Sequence, residues 1–278
     1  MSVLIQEGRP DHLPIRTCTT VDLTAVRQLA ARDVLAGESP ATVELFGRDH
    51  GDTDDVYALP GASPGEIRGA IRLSVRQFDG AGLIPWLHAN EDFEVATHLL
   101  AFARERLGRR TLLAFTSPAT SFGVPGLPVE CRPATARALA WSGFAPYGVQ
   151  QYLLRHLDAP VPPSTGAAPI ARVTTPQAFE GWRLTVADDG TWVTASALLS
   201  RPDPGSGTAA LLHLSVIPPH RRSGVGRRLL EQCLRVAADA GARRVATVID
   251  PHNEAGSRLL TSQGFDHVTA LAVHRRLP

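Results

Sequence analysis

Residues 208–230 read "TAALLHLSVIPPHRRSGVGRRLL". An apolar run of strand character is followed by two prolines, then by four arginines set around two glycines. From there a new period begins. Val225, Leu229, Cys233 and Ala237, joined by Leu230 and Leu234, keep one side apolar, while Arg228, Glu231, Arg235 and Asp239 fall on the other, which is the spacing of an amphipathic helix. Gly241 supplies its stop. A glycine turn from strand to helix leaves backbone N–H groups unpaired at the positive end of the helix dipole, an anion site that needs no side chain. Gly224 and Gly226 let the backbone come close, and Arg221, Arg222, Arg227 and Arg228 can add charge-assisted contacts, so a phosphate is the expected ligand.

Outward from this stretch, "EGWRLTVADDGTWVTASALL" (180–199) reads as a hairpin around Asp-Asp-Gly, and "RRVATVID" (243–250) as a further strand. "NEAGSRLLTSQGF" (253–265) then gives a short helix ending at Gly264, and "DHVTALAVHRRL" (266–277) a last strand. The first half repeats this order. "GAIRLSV" (69–75) is a strand, and Phe93, Ala96, Leu99, Leu100 and Ala103 mark a helix that stops at Gly108. "RRTLLAF" (109–115), "RPATARALAWSGF" (132–144) and "GVQQYLLRHL" (148–157) complete the series. Setting Arg109-Arg110 on Arg243-Arg244 aligns helix and strand without a gap, as an internal duplication would. Between the copies, "LDAPVPPSTGAAP" (157–169) has the composition of a linker. The expected units are 1–157, a linker at 158–169, and 170–278.

"LLHLSVIPPHRRSGVGRRLL" resembles the acyl-CoA-binding motif of the GNAT acetyltransferase superfamily, with Leu214, Val216, Pro218, Arg221, Gly224 and Gly226 at its motif positions. "DPHNEAGSRLLTSQGF" is similar to the family's second motif, with Asn253 at its asparagine and Gly264-Phe265 at its end. The resemblance implies an α/β fold of two tandem GNAT-like acyl-CoA N-acyltransferase domains. Each would be a mixed sheet whose fourth and fifth strands splay apart. It further implies acetyl-CoA as co-substrate, its pyrophosphate on the amides of residues 222–226 and its pantetheine arm on the strand edge near Val216. Val216, Ile217, Arg221, Arg222, Ser223, Gly224, Val225, Gly226, Arg227 and Asn253 are the residues this assigns to the cofactor.

The gapless alignment sets "LHANED" (87–92) opposite "RRSGVG" (221–226). Both glycines and the arginine are gone, and Glu91, Asp92 and Glu94 would crowd a helix N-terminus with negative charge. The first copy is therefore expected to be degenerate and to bind no CoA. It keeps helical spacing at Leu23, Val26, Leu29 and Ala30, whereas the second copy has only "TPQAFEG" (175–181) between its first strand and its hairpin. The second copy should lack the usual first two helices, and the first copy should wall its groove.

Transfer to an amine needs a proton acceptor. His213 is the one titratable side chain on the 208–216 strand, and Glu254, clustered with Asp250 and His252, is the second candidate. Leu260 and Leu139 stand where the family often has a tyrosine. These features point to an N-acetyltransferase acting on a primary amine of a small molecule. Transfer to a protein or peptide N-terminus, transfer to an antibiotic, and a non-catalytic CoA-sensing or interaction module are the alternatives. Charge favours no nucleic acid: residues 1–157 carry 15 arginines against 17 acidic side chains, and residues 158–278 carry 13 against 10. The three cysteines, Cys18, Cys131 and Cys233, have no metal-ligand spacing and are odd in number, so no metal and a reducing compartment are expected. With no long apolar segment and no leader pattern, the reading is a cytoplasmic monomer or homodimer without membrane contact.

Overall fold

In the first half, the chain runs β1 (Arg16–Thr17), α1 (Leu23–Arg32), β2 (Asp55–Pro60), β3 (Ile67–Val75), β4 (Gly82–Ile84) and β5 (Leu87–His88). It continues with α2 (Phe93–Leu107), β6 (Leu112–Ala114), β7 (Leu127–Pro128), α3 (Pro133–Trp141) and β8 (Ala145–His156). The second half follows with β9 (Arg172–Thr174), β10 (Gly181–Asp188), β11 (Trp192–Ser200) and β12 (Thr208–Val216). A 3-10 turn at Pro218–His220 leads to α4 (Val225–Asp239), β13 (Arg244–Ile249), α5 (Glu254–Ser262) and β14 (Asp266–Arg276). This computed structural model describes residues 14–39, 55–157, 170–188 and 192–278; the expected linker and the tip of the Asp188 hairpin lie outside them.

Each half buries one face of its sheet under the expected helix. On α2, Val95, Ala96, Leu99, Leu100 and Ala103 meet Ile71 and Leu87; on α4, Leu229, Leu230, Cys233, Leu234 and Ala237 meet Ala195, Ala197, Leu199 and Leu211. Each fully buried leucine contributes about 1.5–3 kcal/mol, so these faces dominate local stability. Cys233 is packed here as an apolar side chain, and burial pushes its thiol up to about 12. Among the described residues β10 follows β9 with no helix between them.

The pairing of strands crosses the division between the halves. Among the described residues there is a single path, β1-β2-β3-β4-β6-β14-β8-β13-β12-β11-β10-β9. β8, from the first half, pairs antiparallel with β13, from Arg244 opposite His156 to Ile249 opposite Gln151. β14, from the second half, pairs with β6, placing His274 opposite Ala114 and Arg276 opposite Leu112. β8 and β14 also pair with each other. Each half has thus given its last strand to the other, and the boundary near residue 157 separates sequence repeats without separating sheets.

The face of β8 and β13 away from α4 is covered by the segment after α1. Leu35 packs with Tyr152, Leu154, Ala246 and Leu271. Gly37 (φ +91°) passes so close that a Cβ there would stand 2.8 Å from Leu154 Cδ1. The Tyr152 hydroxyl donates to the Ala36 carbonyl at 3.0 Å and to Glu38 at 3.4 Å. Through this loop the first half packs on strands of both halves. The continuation expected to hold a second helix lies outside the described residues. No helix among the described residues is long and apolar enough to cross a membrane.

Candidate acyl-CoA site

β12 and β13 run parallel and pair only over Thr208–Ala210 against Arg244–Ala246. Past that point they part, with one side-chain bond, Thr247 Oγ1 donating to the Leu211 carbonyl at 2.8 Å, across the opening. On its other edge β12 follows β11, but Leu211 faces Leu199 and His213 faces Leu198, leaving Leu212 as an extra residue. Such a bulge bends the strand and turns its later residues away from the original pairing. The splay expected for the fourth and fifth strands is present.

At the end of β12 the chain makes the glycine turn. Arg222 (φ +63°) and Gly224 (φ +82°) are both left-handed, and Gly224 begins α4 with no side-chain cap. Among the described residues the amides from Arg222 to Arg227 have no acceptor. Left-handed turns of this kind form concave nests of N–H groups suited to an anion. Arg222, Arg227 and Arg228 are exposed and unpaired among the described residues. Arg221 is engaged differently: its Nε donates to the Val216 carbonyl at 2.9 Å, tying loop to strand end. Ser223 Oγ donates to the His220 carbonyl at 2.6 Å. Gly226 has ordinary space, since a Cβ would lie 3.5 Å from Leu259 and Val216 side chains. Val225 is half-buried at the helix start, and Ile217 is exposed beside the strand end.

Residues 154–265 match the family model of the acetyltransferase (GNAT) family. Those residues form a GNAT-family domain. The chain superposes on a tandem GNAT protein from the clavulanic acid biosynthesis pathway, with TM-score 0.61, 16% identity, and coverage of 94% of this chain and 97% of that one. A GCN5-related N-acetyltransferase from Sphaerobacter thermophilus is similar too, with TM-score 0.61, 15% identity, and coverage of 97% and 96%. At such identities the likeness establishes the fold, while the family match identifies the second half as a GNAT acetyltransferase domain. A search of curated proteins by sequence finds no match.

The corresponding place in the first GNAT-like unit is built otherwise, and the gapless alignment needs correction there. Leu87 and His88 are strand, pairing with Ile71 and Ala70, so they match the end of β12 and do not belong to a loop. Only residues 89–92 join strand to helix, where the second half uses 217–224. Asp92 caps α2, accepting from the amides of Glu94 at 2.9 Å and Val95 at 3.1 Å. The strand edge is occupied as well. The Ile84 carbonyl accepts from Phe115 N at 2.8 Å, the Pro85 carbonyl from Ser117 N at 3.2 Å, and the Leu87 carbonyl from Arg132 Nη2 at 2.8 Å.

The candidate proton carriers stand apart. His213 is exposed on β12, with Nε2 2.9 Å from Ser215 Oγ, which lies 3.3 Å from Ser196 Oγ. Glu254 pairs with Arg258 at 2.7 Å on the exposed face of α5, and among the described residues no hydrogen bond joins it to His213. Asp250 accepts from the His252 amide at 2.7 Å, a turn contact. Asn253 Oδ1 accepts from the Gly256 amide at 3.0 Å and so caps α5. Leu260 and Leu139 are buried in the two cores.

Sequence reasoning missed a charged group inside the first half. Asp33, which follows α1, meets His88 Nδ1 at 2.6 Å and Arg132 Nη2 at 3.1 Å. Arg132 continues to Glu91 at 3.4 Å, and Glu91 accepts from the amides of Ala134 and Thr135 at the start of α3. Burial pushes the His88 imidazole below its ordinary 6.5, against the pull of Asp33. The only signal in the sequence was the alternation of Trp86 and His88, the second of which the gapless alignment set opposite the phosphate loop.

Proposed function

We propose that this protein is an acetyl-CoA-dependent N-acetyltransferase that transfers the acetyl group to a primary amine of a small molecule, using one CoA site, in the second half. What carries the reading is the uncapped, glycine-started α4 at the foot of a splayed strand pair, with six consecutive amides from Arg222 to Arg227 unclaimed among the described residues. The amides and the arginines hold the pyrophosphate, and the open edge of β12 beyond Ala210 takes the pantetheine arm. Bound acetyl-CoA supplies an activated acyl group as a thioester. His213, one residue past the Leu212 bulge, takes the proton that the amine loses as its nitrogen bonds the acyl carbon and the carbon–sulfur bond breaks. With leucine at position 260, the thiolate leaves without a tyrosine acid; an ordinary thiol pKa near 8.5 makes that feasible. The first half is read as lying on the acceptor side, a reading supported by the packing of Leu35 against β8 and β13. The protein is proposed to act in the cytoplasm.

Thiol release from acetyl-CoA in the presence of a panel of small primary amines tests this directly. Amine-dependent release is expected. Tight CoA binding with no release for any amine, and none for peptide N-termini, would instead identify a CoA-sensing module.

A further inference from the structure

A cavity of about 360 Å³ opens within the first half, between the segment after α1 and the loop that joins β6 to β7. Leu35, Phe115 and Pro128 give it apolar walls, and Trp86 and His88 stand beside each other on it, their ring centroids 5.1 Å apart. Both residues are 5% exposed, yet Trp86 Nε1 and His88 Nε2 are buried without a partner among the described residues. Buried polar atoms of native proteins nearly always have a partner, so two orphans in one cavity wall call for an occupant.

The surroundings define what each atom offers. Asp33 lies 2.6 Å from His88 Nδ1 and 3.1 Å from Arg132 Nη2, and a carboxylate oxygen facing Nδ1 accepts a hydrogen bond from it, so the imidazole proton sits on Nδ1. Desolvation favours the neutral ring, and Arg132 adds to that preference. Nε2 therefore presents a lone pair, and Trp86 presents an N–H. A hydroxyl satisfies both, because it donates and accepts; an ammonium has no lone pair to accept with, and a carboxylate has no proton to donate. Glu38 lines the same cavity, and its burial makes a second negative charge there unfavourable. The Arg132 guanidinium does not offset this, since Asp33, Glu91, the Leu87 carbonyl and Thr135 already hold it.

We propose that this cavity is a second small-molecule site, separate from the CoA site, that takes an uncharged alcohol with a compact apolar body. The hydroxyl donates to His88 Nε2 and accepts from Trp86 Nε1, and the body lies against Leu35, Phe115 and Pro128.

The test uses the full chain and three probes that share one body: 2-phenylethanol, 2-phenylethylamine and phenylacetate. Affinities are measured by ligand-observed NMR, and the His88 imidazole nitrogens are followed by 15N labelling. The alcohol should bind best, with phenylacetate weaker by about tenfold or more. The Nε2 resonance of His88 should be unprotonated in the free protein and should move on adding the alcohol. His88→Phe and Trp86→Phe should each weaken the alcohol by about tenfold, with cooperative thermal unfolding retained as the check on folding. The absence of saturation transfer from 2-phenylethanol at millimolar concentration would mean that the cavity holds only water and would overturn the proposal. Equal or tighter binding of the amine or the carboxylate would overturn it too, as would a His88 Nε2 resonance that ignores the alcohol.

Discussion

Tyr152 of the first half stands directly across an antiparallel ladder from Val248 of the second, and on its other side faces Thr269. β13 has no strand neighbour on that edge except β8. A fragment of residues 158–278 would expose the full edge of β13 and leave β14 with no partner strand, so we expect it to be unfolded or aggregated by circular dichroism and to bind no CoA. Co-expression with residues 1–157 should restore a folded complex. A fragment that alone gives a cooperative transition would contradict the exchanged pairing.

Gly226 separates space from charge at the phosphate loop. Alanine fits, with its Cβ in ordinary contact with Leu259 and Val216, so Gly226→Ala should leave CoA affinity within a few-fold. Gly226→Asp keeps the helix start favourable by placing a carboxylate in the first turn, but sets that charge where the pyrophosphate should lie. Loss of one charge-assisted contact costs about 1.5–3 kcal/mol, or roughly 10- to 150-fold in Kd. Calorimetry on the two variants checks both directions.

One CoA should saturate each chain. In the first half Asp92 already claims the amides of Glu94 and Val95, and the edge carbonyls of Ile84, Pro85 and Leu87 are occupied. A calorimetric stoichiometry near two would show that this edge opens.

His213→Ala should lower kcat by about 100-fold or more while leaving the Kd for CoA unchanged, because a proton acceptor acts in the transition state and not in cofactor binding. The exposed ion pair with Arg258 makes Glu254→Gln the contrasting case, with a small effect on kcat. Reversal of that order in steady-state assays would move the proton to α5.

The imidazole of His88 is held below 6.5 by burial, so below that pH the unfolded chain binds a proton that the folded chain resists. Its contribution to stability is therefore complete above 6.5 and is lost as pH falls towards the folded value. Glu38 is shifted the opposite way, above its ordinary 4.5, and its contribution weakens as pH rises from there. Between about pH 7 and pH 5.5, wild type should lose more stability in urea titrations than His88→Phe does. Parallel losses would place the acid sensitivity elsewhere.

Strands and helices with an unbroken period were legible from the residues: 208–216 is β12 as read, and α4 lies within Gly224–Ala240. Period and turn chemistry are local properties, and these elements carry both. The exchange of β8 and β14 was not legible, because an antiparallel strand shows its alternation to whichever edge receives it, and nothing in "GVQQYLLRHL" names its partner. The phosphate loop could be read because its glycines and arginines are adjacent in sequence. The group of Asp33, His88 and Arg132 could not, since its members come from three separated segments and meet only in the folded chain. A gapless alignment hid it further, by turning the strand residue His88 into loop.

The exchange of last strands also sets an order on synthesis. Arg276 pairs with Leu112, 164 residues before it, so the half that leaves the ribosome first waits for β14 to cover the edge of β6. Until then β6 and β8 are unguarded edges, open to any extended segment nearby. Loss of β14 would therefore uncover strand edges in both halves at once.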